Sequence, residues 1–150
     1  MMSAIPMLLS SLISGFFSTM NMWCVKWSHT RFHLNDTYMV LLMTFWMLLF
    51  TYLIYYKQMK NASVYIVITI VCICLIIYCI RTQFLIDDEQ FLNGMIPHHS
   101  MAILMAQNIK KKTTDKDIKK LAENIIDTQT KEIELMDSLL RNKKMNNISD

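Results

Sequence analysis

Two runs of about 19 residues, Tyr38 to Tyr56 and Ala62 to Ile80, carry no charged side chain, close to the roughly 20 residues with which a helix crosses the hydrocarbon of a bilayer. Tyrosines gather near their ends (Tyr38, Tyr52, Tyr55 and Tyr56 on the first; Tyr65 and Tyr78 on the second), where amphipathic rings sit at headgroup depth. Lys57 and Lys60 occupy the short link, so the two runs read as a membrane hairpin with spans at about 38–56 and 62–80. A third candidate covers about 4–25. No charge precedes Lys26, but Ser3, Ser10, Ser11, Ser14, Ser18 and Asn21 dilute the segment. A secretory signal peptide would need a basic start and a small-residue cleavage site, and neither is present. A third span is therefore expected, with Gly15 and the serines facing neighbouring helices, where small residues allow close packing. An interfacial helix is the alternative.

Charge divides the chain sharply. Up to Ile80 the charged residues are Lys26, Arg31, Asp36, Lys57 and Lys60; nearly all others follow Arg81. The formal charge of +3 thus averages a membrane region, 1–81, with a polar domain, 82–142, that is close to neutral. A nucleic-acid-binding module would concentrate Lys and Arg on one face, and the short run Lys110 to Lys112 reads instead as a solvated helix end. Two glycines and two prolines leave little room for a turn-rich β architecture, so the fold class expected is all-α. Cys72, Cys74 and Cys79 lie inside a span and Cys24 at the end of another. There cysteine behaves as a small apolar residue; a thiolate path for a monovalent metal is the alternative. No CxxC pair or disulfide framework is visible.

The loop Lys26 to Thr37 holds His29 and His33, and the tail holds His98 and His99. Three spans place loop and tail in one compartment; without the first span, the loop histidines are expected across the bilayer from the tail. Lys26, Arg31 and Arg81 against Lys57 and Lys60 is too small a difference to orient the spans.

Beyond Arg81 the pattern becomes that of amphipathic helices. Asp87, Asp88 and Glu89 supply negative charge where a first helical turn favours it, and a helix runs from about Asp88 to Lys110. Thr113 to Asp117 is a turn and N-cap signal, followed by a second helix from about Lys116 to Arg141. The tail is thus an αα-hairpin, with 143–150 a disordered end. At about 100° per residue, Asp88, Phe91, Met95, His98, His99, Ala102 and Met105 share one broad face of the first helix, with Ala102 near its centre. On the second, Leu121, Ala122, Ile125, Gln129, Glu132, Ile133, Met136 and Leu140 share a face that Gln129 and Glu132 interrupt. An unpaired buried amide or carboxylate costs several kcal/mol, so these two call for partners, and the histidines are available. Pro97, directly before His98, removes one helical donor and is expected to kink the helix. Spacing alone supports two readings: a His–Glu hydrogen-bond network that fixes helix register, or a metal site. Imidazole and thioether groups together suit copper, and a His/Glu set also suits zinc or iron.

The residues Phe91-Leu92-Asn93-Gly94-Met95-Ile96-Pro97-His98-His99 and Ala102-Ile103-Leu104-Met105-Ala106 resemble the signature of the family catalogued as domain of unknown function 305. Leu121-Ala122, Ile125-Ile126, Gln129, Glu132-Ile133 and Met136 look like its second block. The hydrophobic half and the link Arg81-Thr82-Gln83 are similar to a subgroup with three membrane spans ahead of a short version of the domain. The resemblance implies a ferritin-like helical bundle and, for some soluble Met- and His-rich members, a link to copper. Carried over position by position, the candidate ligands are Met95, His98, His99 and Met105, with Gln129, Glu132 and Met136 on the facing helix. Longer soluble members have more helices and more Met/His positions, so full copper storage does not follow.

Two helices cannot enclose both apolar faces, so a four-helix bundle needs a second copy; a homodimer is expected. The reading is a multi-pass integral membrane protein, not an enzyme, whose helical module binds copper (or zinc or iron) to buffer the ion or hand it on. A structural or assembly protein with a metal-free packing network is the alternative. The Glu-x-x-His pairs of di-metal enzymes are absent, as are P-loop, nucleophile-elbow and dinucleotide fingerprints.

Overall fold

A computed structural model describes residues 4–149, with side chains over 8–145. The protein is all-α. Among the described residues there are five α-helices and no strand: α1 (Ala4–Phe17), α2 (Leu34–Ile54), α3 (Ala62–Thr82), α4 (Asp88–Lys112) and α5 (Lys116–Ser149). They divide into two compact units. One contains α1, α2 and α3; the other joins the stretch Met20–His33 to everything from Asp87 onward.

In the first unit, α2 and α3 are 21 residues each. At about 1.5 Å per residue each reaches roughly 31 Å, enough to cross hydrocarbon about 30 Å thick. Both are apolar enough to do so, and they bound the two charge-free runs closely. Their connection turns at Asn61, whose φ of 61° is the left-handed conformation that asparagine tolerates better than most residues. Tyr52 and Tyr65 stack across the pair with centroids 5.5 Å apart. At the other end Tyr38 donates to the Phe84 carbonyl at 2.7 Å, and the Asn35 amide donates to Gln83 Oε1 at 3.2 Å.

The segment expected to span 4–25 is helical only over Ala4–Phe17. Ser18 Oγ and Thr19 Oγ1 donate back to the carbonyls of Ser14 and Phe16, a local competition with helix propagation. Beyond it, Met20 to Val25 belong to the other unit. Fourteen residues reach only about 21 Å, so α1 as described is shorter than the hydrocarbon. The small-residue expectation is met on this helix by Gly15 and Ser11. A Cβ on Gly15 would lie 2.8 Å from Val40 Cγ1, and Ser11 Oγ donates to Thr44 Oγ1 at 2.9 Å, both side chains buried. Ser10, Ser14 and Ser18 are exposed.

In the second unit, α4 and α5 form the expected hairpin. Asp87 caps α4, its carboxylate accepting from the Gln90 amide at 2.8 Å. Asp115 caps α5 by accepting from the amides of Asp117 and Ile118. Between the helices Ile96, Ile103, Ile133, Met136 and Leu140 form the core, with Leu92, Met95, Ile126 and Val25 against it. Helix α4 continues unbroken through Pro97, whose ring is buried. Helix α5 runs to Ser149, past the Arg141 boundary expected and through most of the end read as disordered. Lys143, which pairs with Asp88 at 2.9 Å, ties this extension back to the start of α4; Asp150 lies outside the described residues.

Candidate functional site

Positions 95 and 99 are one helical turn apart on α4, and this places the His99 ring over the Met95 carbonyl, with Nδ1 to O at 2.8 Å. A carbonyl oxygen only accepts, so Nδ1 carries the proton in this contact. The other nitrogen, Nε2, then points across the hairpin to Glu132 Oε2 at 2.9 Å. The same oxygen accepts from Gln129 Nε2, one turn earlier on α5, at 3.3 Å. His99 is 9% exposed, whereas 46% of the Glu132 side chain is open. The pair is therefore anchored on its imidazole side and accessible on its carboxylate side. In its two protonation patterns, an imidazolium donates to the carboxylate or a neutral ring accepts from the carboxylic acid.

Seven candidate ligands meet different fates. His99, Gln129 and Glu132 are brought together. His98 is exposed beside them, its ring edge-on to His99 at a centroid distance of 6.1 Å. Met95 contributes its backbone carbonyl while its side chain packs against the core. Met136 is a core side chain and Met105 is 61% exposed. Among the described residues no group of three or more His, Cys, Asp and Glu side chains is gathered in a metal-ligating arrangement. Orienting a ring through Nδ1 so that Nε2 is presented outward is the usual outer-shell support of a metal-bound histidine. His99 Nε2 and Glu132 Oε2 are thus a nitrogen and an oxygen donor brought together, and among the described residues no third His, Cys, Asp or Glu closes a site around them.

The stretch Met20–His33 packs on the opposite side of the hairpin. Ser100, fully buried, holds it: its Oγ accepts from the Val25 amide at 2.9 Å and lies 2.9 Å from His29 Nδ1. A hydroxyl carries one proton and two lone pairs, so it meets His29 either as donor to a bare Nδ1 or as acceptor from Nδ1–H. Burial, followed by the neighbouring Lys26 charge and then Arg31, lowers the His29 pKa below its ordinary value; Asp137 opposes them. Arg31 pairs with Asp137 on α5 at 3.0 Å. Asn21 exchanges two hydrogen bonds with the Arg31 backbone, which closes the stretch into a clasp. His33 is buried against Gly94, where an added Cβ would sit 3.3 Å from its Nδ1. All four histidines thus belong to one unit, but His29 and His33 serve the clasp. Sequence reasoning missed Ser100; the available signal was a hydroxyl in the apolar stripe between Ile96 and Ile103.

The four cysteines form no disulfide among the described residues.

This arrangement, a helical hairpin carrying Met-Ile-Pro-His-His on one helix and Gln129 and Glu132 on the other, has relatives. The model of the family described as Domain of unknown function (DUF305) matches residues 85–146. An uncharacterized protein of Acanthamoeba polyphaga mimivirus is 48% identical over 141 residues, covering 94% of this chain and 93% of the relative. The chain belongs to the domain of unknown function 305 family. No solved structure matches it.

Proposed function

We propose that the protein is a membrane-anchored helical module that binds a metal ion at His99 and Glu132, buffering it or handing it on without catalysing a reaction. One observation carries the reading: His99 Nε2, oriented from behind by the Met95 carbonyl, faces a half-open carboxylate at 2.9 Å. A cation can replace the proton between them. The donors that meet here at 2.9 Å are an imidazole nitrogen and a carboxylate oxygen. That set favours divalent copper over the monovalent ion, and zinc or iron(II) can use it as well. The anchor is the α2–α3 pair, whose side chains such as Ile54, Val67 and Leu75 are more than half exposed, a surface suited to lipid and costly in water. Met20–His33 precedes α2 and the hairpin follows α3. Two crossings return the chain to the side it left, so α1 has no say in whether the four histidines share a compartment, contrary to the parity expectation.

The rival reading is a metal-free clamp that fixes the register of α4 on α5. It is favoured by the completeness of the Gln129–Glu132–His99 hydrogen bonding. Titrating the purified full-length chain in detergent with copper(II), copper(I) and zinc, after chelation and exchange, separates the two. His99→Ala and Glu132→Gln are expected to weaken copper(II) binding at least tenfold each, since loss of even an outer-shell partner costs about 10–100-fold. Equal binding by wild type and both variants would leave only the clamp.

A further inference from the structure

The hairpin has one face closed by the Met20–His33 clasp and one face open. On α4 the open stripe is Phe91, Met95, His98, Ala102, Met105 and Ile109, an unbroken alternation of four- and three-residue steps. On α5 the same alternation runs through Leu121, Ile125, Thr128, Glu132, Leu135 and Leu139. Such spacing is the seam of helices that pack knobs into holes against a partner helix. Met95 also touches the hairpin's own core, but that core lies at Ile96, Ile103, Ile133 and Leu140, outside both stripes. Both stripes are displaced from that core in the same rotational sense along the chain, and in an antiparallel pair this sets them on the same side. The His99–Glu132 bridge lies on that side too, while Ser100 and Asp137, which hold the clasp, lie on the other.

We infer that this open face is the dimerisation surface of the protein and that a second copy of the hairpin covers it to complete a four-helix bundle. Phe91 is 52% exposed, Met105 61%, Ile109 44%, Leu121 58%, Leu135 58% and Leu139 45%. Half-exposed apolar side chains of this size, six to a face, amount to about 500 Å² per copy, at the top of the patch size normal for a monomer. Two such faces bury roughly 1,000 Å², the least that a biological interface needs; Met95, Ala102 and Ile125 lie along the same stripes. A lipid surface is a poorer occupant. Membrane-lying helices show a broad apolar face edged by basic residues, whereas here a narrow seam carries His98, Thr128 and Glu132 at mid-length. Small Ala102 leaves the space for close approach.

The pairing that makes every neighbouring helix antiparallel lays α4 of one copy over α5 of the other. The level set by His99 and Glu132 then brings His98 to the partner subunit's Glu132. The second copy thereby supplies carboxylate to the exposed imidazole that the single chain leaves beside the site. This last point rests on the metal reading above; the apolar face does not.

The test is the protein mass of the full-length chain, measured in mild detergent and in nanodiscs over a micromolar concentration series with a chelator present. A dimer is expected without metal. Met105→Glu combined with Leu135→Glu is expected to weaken it roughly a hundredfold, as when charge enters the centre of an interface. Lys120→Glu, an exposed position on α5 turned away from the Ile125–Glu132 line, should leave the dimer intact, and unchanged far-ultraviolet dichroism shows that each variant folds. A monomeric wild type, a dimer indifferent to the double variant, or a dimer that forms only on metal addition overturns the proposal. So does protection of the stripe from hydrogen exchange in nanodiscs while the protein is monomeric, because lipid is then the occupant. A chelator-stable dimer that binds no metal leaves this inference standing and removes the metal reading.

Discussion

Ser100→Ala isolates the clasp from the rest of the hairpin. The hydroxyl is fully buried and serves two groups from the clasp, the Val25 amide and His29 Nδ1. Removing it takes from both groups the partner they share. A stranded buried polar group costs about 1–3 kcal/mol; these two are part-buried, so the lower part of that range applies to each, about 2–3 kcal/mol together. The loss falls on docking of residues 20–33, because the core between α4 and α5 is untouched. At about 1.4 kcal/mol per tenfold, opening of the clasp rises roughly 30- to 150-fold. Amide hydrogen exchange of the full-length chain in detergent reads this directly: the Val25 amide loses protection by that factor, while amides around Ile133 keep theirs. A double-mutant cycle with His29→Ala should show coupling of about 0.5–1 kcal/mol, as for residues sharing one contact. Protection at Val25 unchanged within threefold would refute the assignment of Ser100 as the anchor. Equal loss around Ile133 would show that the effect is global unfolding.

The same clasp should respond to pH. The His29 pKa is lowered in the fold by burial, then by Lys26 and Arg31, so between the folded value and about 6.5 the open state binds more protons. Docking is complete above about pH 6.5 and is lost as pH falls through the lowered folded value; exchange over residues 20–33, corrected for intrinsic rates, checks the direction. In the other unit, Gly15→Ala drives a Cβ to 2.8 Å from Val40 Cγ1 and should destabilise packing of α1 on α2 by about 1–3 kcal/mol. Adding Val40→Ala should restore part of that loss in a thermal unfolding assay in detergent. Met136→Ala in the core should cost about 2–5 kcal/mol of hairpin stability. Met105→Ala should cost under about 0.5 kcal/mol in a chain held monomeric by dilution, as exposed substitutions do.

Much of the secondary structure was legible because it depends on local chemistry. Absence of charge over Tyr38 to Tyr56 and Ala62 to Ile80 marks α2 and α3, since length and transfer energy decide that question residue by residue. Asp87 and Asp115 announce the starts of α4 and α5 because a cap acts within one turn. The end of α1 was misplaced for the converse reason: apolar composition continues past Phe17, but the residues after it find partners far away in sequence. Val25 goes to Ser100 and Arg31 to Asp137, and those attractions outweigh the weak preference to continue a helix.

The candidate site divides in the same way. Periodicity paired His99 with Gln129 and Glu132, because side chains on facing stripes of a hairpin must meet. It could not separate Met136 from Met105, since the first turns inward and the second outward by a rotation that only packing sets. Nor could it rank His98 against His99, adjacent in sequence and about 100° apart around the helix. The sequence by itself determined an all-α chain with two runs fit to cross a membrane and a capped polar hairpin. Only the tertiary structure decided that the stretch before α2 belongs to that hairpin, and that one face is clasped while the other is open. Those facts reside in contacts between residues more than 70 positions apart, where no local signal reaches.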